Sequence, residues 1–330
     1  SDVPLGSFLS GGIDSSLVCY YAKKHLKTPL NAFTIGSDSK VHDESDKSIE
    51  FGKLIDVNHF IKIMDGLDAL KILEKQKSII TEPFADFSIL PTFELSKIAK
   101  SKVTVALSGD GADELFFGYN RFWSIMKNIN IQRLPYSIKY LIYGINKTIW
   151  DNRHFNSASL FDTQGLAHKS MHSRFPSDKL DKIAPELYNV GHPNDYNLYD
   201  YGPIKDMPLL LDHMRYSEFY GMMQKTLRKI DMASMYNSLE IRVPFLKKTF
   251  INTSLNINPL LNFSNSNQRN ANTKILLKKI LSNNISGISI DNIKRGFSIP
   301  LTKWIREDLL YYFSDILLDK NNHQYFGFNI

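Results

Sequence analysis

The feature that most constrains this chain is a glycine-containing turn near its beginning, Ser10-Gly11-Gly12-Ile13-Asp14-Ser15-Ser16. An apolar run precedes the turn and a helix-like apolar stretch follows it, so the pattern predicts a strand, a turn and a helix. Glycine lets the backbone approach a bulky ligand closely, and the first N–H groups of a helix have no partner within the helix. This combination is typical of an anion-binding site. The same residues also suit an ordinary turn with a helix cap, so the turn alone leaves both interpretations open.

Strand and helix signals alternate through the first part of the chain, which predicts an α/β fold with a parallel sheet and right-handed crossovers. Beyond residue 120 the apolar spacing becomes helical, so we predict an α/β core at 1–120 and a mostly helical portion at 121–330. The further predicted strands are 31–35, 59–63 and 103–107, and the further predicted helices are 43–56, 65–80 with Asp65 as its cap, and 88–100.

A second loop of small residues and carboxylates, Ser108 to Tyr119, follows the strongest strand signal. Loops that follow parallel strands meet at one edge of the sheet, so the two loops are expected to face one site. Asp14 and Asp113 could then hold Mg²⁺ together, because this ion prefers hard oxygen ligands. The alternative is that each aspartate only caps its own helix.

Composition excludes several classes of protein. The chain has 330 residues, of which 43% are hydrophobic and 22% charged, as in an ordinary folded protein. A net charge of +6 is only a weak indication of an anionic partner. The chain has no apolar run of about 18 residues and no basic signal peptide, so no membrane contact and a cytoplasmic location are expected.

Cysteine and histidine usage favours structural roles. Cys19 is the single cysteine, which excludes an internal disulfide and a multi-cysteine metal site, and its place in the first helix predicts a buried thiol. We find no metal-ligand spacing among His42, His59 and the other histidines, so we expect structural or surface histidines.

Four sequence blocks together carry a family resemblance. The turn SGGIDSS matches the PP-loop (SGGxDS) of ATP pyrophosphatases, and with ALSGDGADELFFGY it resembles the C-terminal synthetase domain of glutamine-hydrolysing asparagine synthetases. Lys229 to Leu246 is similar to the family's KxDRxSMxxSLExRxPFLD, and Lys294 to Trp304 is similar to its KxGFxxPxxxW. Within the third block, Glu240 and Arg242 are expected to form a structural ion pair. The resemblance extends over nearly the whole chain and implies an adenine nucleotide alpha hydrolase-like core.

The resemblance implies an ATP-dependent, amide-forming ligase of asparagine biosynthesis. A carboxylate, that of aspartate in this family, attacks the α-phosphate of ATP, which gives an acyl-adenylate and pyrophosphate, and ammonia then forms the amide. It implies Mg²⁺ held by Asp14 and Asp113, Asp110 as acceptor of the ammonia proton, and Lys294 as a catalytic cation beside the α-phosphate. The residues implied in nucleotide binding are Leu9, Ser10, Gly11, Gly12, Asp14, Ser15, Ile35, Ser108 and Gly109.

Four positions depart from the family pattern. Asp110 stands where the family normally has Glu, Phe117 where it has Gly, Met232 where it has Arg, and Lys247 where it has Asp. These changes leave the ATP-binding blocks intact, so they bear on which acid is activated. The same chemistry on a sugar uronate, a β-lactam precursor or a peptide stays open. A PP-loop RNA-modifying enzyme and a non-catalytic nucleotide-binding scaffold are further alternatives, against which the later blocks argue.

The expected partners follow from the same resemblance. Glutamine-dependent members of the family begin with Met-Cys and a glutaminase domain, whereas this sequence begins at Ser1 on a predicted strand. We therefore expect an excised synthetase domain whose glutaminase domain or subunit lies upstream; the alternative is that ammonia comes from solution. The other expected partners are a small-molecule acid and ammonia; a homodimer is left open, and nucleic acid is not expected.

Overall fold

The structure is a computed structural model with two compact units, each described here by itself. Unit 1 comprises Ser1–Ala112, Gln224–Asn256 and Leu276–Ile316, and unit 2 comprises Asp113–Met223, Ile257–Ile275 and Leu317–Ile330. The predicted boundary near residue 120 stays a prediction of domain organisation. Within these units, the structure describes residues 2–82, 84–127, 129–132, 134–149, 163–172, 194–263, 273–285, 287 and 299–319.

Unit 1 contains a parallel five-stranded sheet with the order β3-β2-β1-β4-β5, which confirms the predicted α/β fold. The chain builds outwards from β1 through β2 to β3, and β4 then pairs on the other side of β1. The strand order therefore reverses between β1 and β4, where open α/β sheets bind their ligands. The strands are β1 (Leu5–Phe8), β2 (Asn31–Ser37), β3 (Asn58–Met64), β4 (Val105–Leu107) and β5 (Glu240–Arg242).

The helices of unit 1 agree with the sequence signals in type and differ in some bounds. Asp65 caps α3 as predicted, because its side chain accepts a hydrogen bond from Asp68 N–H at 2.8 Å. The predicted helix 65–80 is instead two helices, α3 and α4, with a break at Glu74 and Lys75. The first five helices are α1 (Ile13–His25), α2 (Ser45–Leu54), α3 (Gly66–Leu73), α4 (Gln76–Ile79) and α5 (Ile89–Lys100). Later helices lie at Met223–Tyr236, Lys248–Leu255, Ile275–Asn284, Leu301–Arg306 and Leu310–Leu318, with a 3₁₀ turn at Pro244–Leu246.

Two apolar clusters of unit 1 pack against the same face of the sheet, and Ile35 on β2 contacts both of them. Phe33 on β2 and Trp304 are fully buried, and each belongs to a separate apolar cluster. Cys19 on α1 is also fully buried, and burial raises the pKa of its thiol to about 12. The predicted buried thiol is therefore confirmed.

The regular elements of unit 2 are all helical within its described residues. Asp206 caps the helix Met207–Ser217 by accepting a hydrogen bond from Leu209 N–H at 2.8 Å. The apolar faces of these helices pack around Phe117, Phe122 and Leu210. The helices are α6 (Ala112–Leu115, whose first residue closes unit 1), α7 (Asn120–Lys127), α8 (Ile129–Gln132), α9 (Tyr136–Ile149), α10 (Gln164–His172) and Met207–Ser217, with a π-helix at Glu218–Met222 and 3₁₀ turns at Asn194–Tyr199 and Pro259–Leu261. Among the described helices of both units, none has the length and apolar composition that crossing a membrane requires.

Candidate active site

The first loop of the site connects β1 to α1, and two serine hydroxyls close it. The hydroxyl oxygens of Ser10 and Ser15 are 2.9 Å apart, and Ser10 N–H donates to Ser15 Oγ at 3.1 Å. Gly12 N–H donates to Ser10 Oγ at 3.3 Å, while Ser15 Oγ donates to the Gly12 carbonyl at 3.2 Å. These hydrogen bonds hold a tight turn immediately before α1.

Glycine is required at Gly11, and the amino end of α1 carries no side-chain cap. Gly11 has a φ of 73°, and a Cβ there would lie 2.8 Å from Ser48 N at the packed helix α2. Gly12 is the N-cap residue of the 13-residue helix α1 and makes no side-chain cap bond. The partial positive charge of this helix end therefore faces the loop, as an anion site requires.

The second loop lies directly against the first, as the positions of their strands predict. A Cβ on Gly109 would lie 2.8 Å from Ser15 N and 3.0 Å from the Asp14 carbonyl carbon, so the two backbones are in contact. Gly111 has a φ of 87°, and a Cβ there would lie 3.0 Å from Leu246 Cγ. The ends of β1 and β4 and the third sequence block thus converge within unit 1.

The carboxylate of Asp110 is held by its own loop. Ser108 Oγ donates a hydrogen bond to Asp110 Oδ2, and Ser108 N–H donates to the Arg242 carbonyl at 2.9 Å. Asp110 is half-buried, so its carboxylate keeps access to solvent. Arg242 Nε donates to Glu240 Oε1 at 2.6 Å with both side chains 53% exposed, which confirms the predicted ion pair.

A cavity in unit 1 lies beside the first loop. Ser10 and Ile35, both predicted to bind the nucleotide, line it, whereas Leu9 is only 1% exposed and packs in the core. Trp304 of the fourth block also lines the cavity and donates through Nε1 to Asp38 Oδ1 at 3.1 Å. The remaining lining residues are Thr34, Gly36, Ser37, His42, Glu44, Met64, Pro91 and Ile299.

Asp113, the second predicted metal ligand, lies in unit 2 beside a buried lysine. The ammonium of Lys274 contacts Asp113 Oδ1, and Lys274 is 5% exposed with its N–H donating to the Phe116 carbonyl at 3.2 Å. The neighbouring Glu114 accepts a hydrogen bond from Tyr119 Oη at 2.6 Å and is buried. Sequence reasoning missed Lys274, because a single lysine at the start of a helix carries no signal of burial.

Lys294, the predicted catalytic cation, lies outside the described residues. The described chain resumes at Ile299, which lines the cavity of unit 1. The roles assigned to Lys294 and to the loop residues stay predictions.

Two histidines and a glutamate meet in the interior of unit 2, and the histidines are hydrogen-bonded there, as the expected structural role requires. His168 Nε2 lies 2.6 Å and His172 Nε2 lies 3.0 Å from Glu218 Oε1. Arg121 donates from Nε and one terminal nitrogen to the same carboxylate. The spacing of four residues between His168 and His172 is visible in the sequence, and it was the available signal that the two side chains share one helix face.

Burial sets the protonation states in this cluster. Burial lowers the pKa of His168 to about 4, and the hydrogen bond to Glu218 offsets only part of that effect. Burial alone would raise the pKa of Glu218, but hydrogen bonds from Arg121 and the two histidines outweigh it and hold the pKa well below its usual range. Near neutral pH the cluster therefore contains a neutral imidazole and an ionised carboxylate.

Three of the departures from the family pattern have a local structural setting. Phe117 has a φ of 60°, a conformation that favours glycine, and its ring is fully buried in the core of unit 2. Met232 packs against the apolar cluster around Trp304. Lys247 is the exposed N-cap of the helix Lys248–Leu255 and makes no side-chain cap bond, which an aspartate could make.

The strand order, the glycine turn at its switch point and the second carboxylate loop define an α/β core of the PP-loop type. The family model of asparagine synthase matches residues 1–328, so the chain belongs to the asparagine synthase family.

Several curated relatives agree with this assignment. The chain is 28% identical over 327 residues to a glutamine-hydrolyzing asparagine synthetase 1 of Bacillus subtilis (strain 168), which covers 98% of this chain and 51% of the relative. It is 25% identical over 310 residues to a putative glutamine-hydrolyzing asparagine synthetase of Mycobacterium bovis, with 93% and 46% coverage. A putative asparagine synthetase 2 of Methanocaldococcus jannaschii is 37% identical over 136 residues, 41% of this chain and 26% of the relative. The chain thus spans about half the length of the first of these relatives.

Proposed function

We propose that the protein is an ATP-dependent ligase of the asparagine synthetase type. It would activate a carboxylate as an acyl-adenylate with release of pyrophosphate, and ammonia would then form the amide. The observation that carries the proposal is the backbone contact of Gly109 with Asp14 and Ser15, which joins the two loops at the switch point of the sheet. Family membership supports the same reaction class.

The first loop would bind the phosphates of ATP. The N–H groups at the uncapped end of α1 and the hydroxyls of Ser10 and Ser15 would stabilise negative charge on the departing pyrophosphate. Gly11 and Gly109 permit the close approach of backbone that such a site needs. Ile35, in the cavity beside this loop, would contact the adenosine part.

Two further groups would act on the reacting atoms. Asp110, whose carboxylate Ser108 orients, would accept the proton lost by the attacking ammonia. Lys294 would stabilise charge on the α-phosphate, as the similarity of Lys294 to Trp304 to the family's KxGFxxPxxxW block implies.

A magnesium ion would be bound through carboxylates. Asp14 lies in the first turn of α1 and Asp113 lies in α6, and carboxylate oxygens are the donors that Mg²⁺ prefers. When bound, the ion supplies neutralisation of the pyrophosphate charge. In unit 2, the ammonium of Lys274 contacts Asp113 and neutralises the negative charge of that carboxylate.

We propose aspartate as the acid, because the relatives are named as asparagine synthetases. Met232 and Phe117 depart from the family pattern in apolar cores, and Lys247 departs at a helix end, so none of the three is among the residues that line the cavity of unit 1. These departures therefore give no reason to prefer a sugar uronate, a β-lactam precursor or a peptide.

Glutamine would be the source of ammonia. The relatives are named as glutamine-hydrolyzing, and this chain matches about half the length of the first of them. We infer that a glutaminase domain or subunit outside the given sequence supplies ammonia. The cytoplasmic location expected from the sequence stays a prediction.

The test is pyrophosphate release by purified protein supplied with ATP, Mg²⁺, aspartate and ammonium chloride. Asp14→Asn and Lys294→Ala are each expected to lower the rate at least tenfold, or about 1.4 kcal/mol of barrier. Asp56→Asn and Lys279→Ala change exposed residues in the same ways and are expected to leave the rate unchanged.

Wild-type rates in both site variants would show that the transferred roles are wrong. If pyrophosphate release requires a different acid, that acid is the substrate in place of aspartate. Activity that requires structured RNA and falls steeply with salt would favour RNA modification instead. If the protein binds nucleotide but releases no pyrophosphate under any of these conditions, it is a non-catalytic nucleotide-binding scaffold.

A further inference from the structure

Three atoms of the kinds that transition metals bind converge inside unit 2. They are Nε2 of His168, Nε2 of His172 and Oε1 of Glu218, and all lie within 4.8 Å of one another. The proposed ligase reaction uses none of the three residues. The ligase reaction therefore does not explain why the three residues lie together.

The backbone places these ligands by two distinct devices. His168 and His172 lie four residues apart on α10, so their side chains project from the same face of the helix. Glu218 opens the π-helix Glu218–Met222, and such turns are rare and frequently mark functional sites. The side chains of His168 and Glu218 are fully buried, whereas that of His172 is 16% exposed and gives an ion a route from solvent.

Neighbouring residues orient two of the three ligands, as in metal sites with a supporting outer shell. The hydroxyl of Tyr201 lies 2.7 Å from His168 Nδ1, so an imidazole bound to metal through Nε2 can donate its remaining N–H to that oxygen. Arg121 fixes the Glu218 carboxylate, and its guanidinium stacks 3.7 Å from the centre of the Tyr119 ring. Arg121 also shares the charge of Glu218, which limits the affinity of a second cation.

We propose that His168, His172 and Glu218 form a binding site for a divalent transition-metal ion of the zinc class. Two imidazole nitrogens, one carboxylate oxygen and a water molecule make the four-coordinate set that Zn²⁺ takes. The present separations of 2.6 and 3.0 Å from Oε1 are those of hydrogen bonds. Bonds of about 2 Å to a tetrahedral ion require the two nitrogens to move away from Oε1 by less than about 1 Å.

Ligand chemistry distinguishes this site from the magnesium site proposed at Asp14 and Asp113. Imidazole suits zinc, cobalt, nickel and copper, whereas Mg²⁺ prefers oxygen donors and retains several waters. The bound ion would join α10 to the π-helix and so stabilise unit 2. The proposal does not depend on the ligase reaction, and its failure would leave that reaction untouched.

The experiment is a titration of the tag-free protein with Co²⁺, followed by visible absorption and by competition with Zn²⁺. We expect about one ion per chain and the absorption bands of four-coordinate cobalt, lost when Zn²⁺ is added. His172→Gln removes one ligand and leaves the Arg121–Glu218 ion pair in place, so it should fold, as circular dichroism can verify. It is expected to weaken binding at least about tenfold.

His25→Gln is the matched control, because His25 is an exposed histidine at the end of α1 and should bind cobalt as the wild type does. His168→Gln removes the buried ligand and is expected to weaken binding as well; if it does not fold, His172→Gln decides alone. Wild-type affinity in His172→Gln, or no saturable binding by the wild-type protein, would overturn the proposal. The cluster would then be a hydrogen-bonded core element only.

Discussion

The loops of unit 1 and the Glu218 cluster of unit 2 position polar groups by opposite means. In the loops, glycine backbones and helix ends create the site from short contiguous stretches, as at Gly11 and Gly109. In the cluster, charged side chains that are 97 residues apart in sequence, Arg121 and Glu218, meet in the buried interior. A site built from backbone should be sensitive to an added Cβ atom. A site built from buried side chains should be sensitive to the loss of one charge.

The largest effect on stability is expected from Glu218→Gln. This change removes the charge that pairs with Arg121, whose side chain is only 17% exposed, and leaves a buried cation without its counter-ion. Breaking a buried pair in this way costs about 3 kcal/mol or more. Urea unfolding of the variant and the wild type would measure the difference in the free energy of unfolding.

Glu240→Gln is the control for that comparison. Its ion pair with Arg242 has both side chains 53% exposed, so its removal should change stability by less than about 1 kcal/mol. Equal losses in the two variants would mean that burial is not what distinguishes the cluster.

The stability of the protein should also fall in mild acid through His168. The pKa of this buried imidazole is about 4 in the folded protein, against about 6.5 in the unfolded chain. Between these pH values the unfolded chain binds a proton that the folded protein does not. The contribution of His168 to the free energy of unfolding is therefore fully present above pH 6.5 and is lost as the pH falls towards 4. The total loss is about 3 kcal/mol.

Urea unfolding at pH 7.5, 6 and 5, with EDTA present to remove metal ions, tests this expectation. His168→Gln should show a shallower loss of stability over the same range. A pH dependence identical to that of the wild type would assign the acid sensitivity to other groups.

Adding a Cβ atom should damage the loops more than it damages the fold. Gly11→Ala forces alanine into a left-handed conformation and towards Ser48 N, and Gly109→Ala brings a methyl group against Ser15 N. Each is expected to lower pyrophosphate release at least tenfold, which corresponds to about 1.4 kcal/mol. Gly144→Ala is the control, because no described atom beyond its chain neighbours and its own helix backbone lies within 4 Å of the added Cβ, and it should gain up to about 1 kcal/mol of stability. Full activity in Gly11→Ala and Gly109→Ala would refute the tight backbone packing of the loops.

The smallest effect is expected at a helix end. Lys247→Asp would supply the missing N-cap of the helix Lys248–Leu255 and should stabilise the protein by about 1 kcal/mol. Thermal unfolding measures the gain. No change would indicate that the extended backbone of Lys247 does not suit a side-chain cap.

Local signals explain why much of unit 1 was predictable. The turn before α1, the β-branched run from Val103 to Val105 that leads into β4, and the cap at Asp65 each depend on a few adjacent residues. Family resemblance added the residue roles, which position alone does not provide. The contact of Gly109 with Asp14 was foreseeable only because strands β1 and β4 were expected to be parallel.

Long-range contacts explain what was missed. Strand β5 has three residues with charged ends, and its partner is β4, so no local pattern marks it as a strand. Lys274 becomes buried because it meets Asp113, and Glu218 becomes a candidate ligand because it meets His168. Such contacts depend on tertiary packing, and the sequence near each residue does not predict them.

The position of β1 has a consequence for how the protein is made. Although β1 precedes the other strands in the chain, it lies in the middle of the sheet. Its neighbour β4 is synthesised only after the elements α1, β2, α2, β3, α3, α4 and α5. β4 in turn pairs Val105 with Glu240, a separation of 240 − 105 = 135 residues. Closing such distant pairs is slow and exposes strand edges in the meantime. On the ribosome, the turn proposed to bind phosphate would therefore emerge before Gly109 and would stay incomplete until Gly109 reaches it.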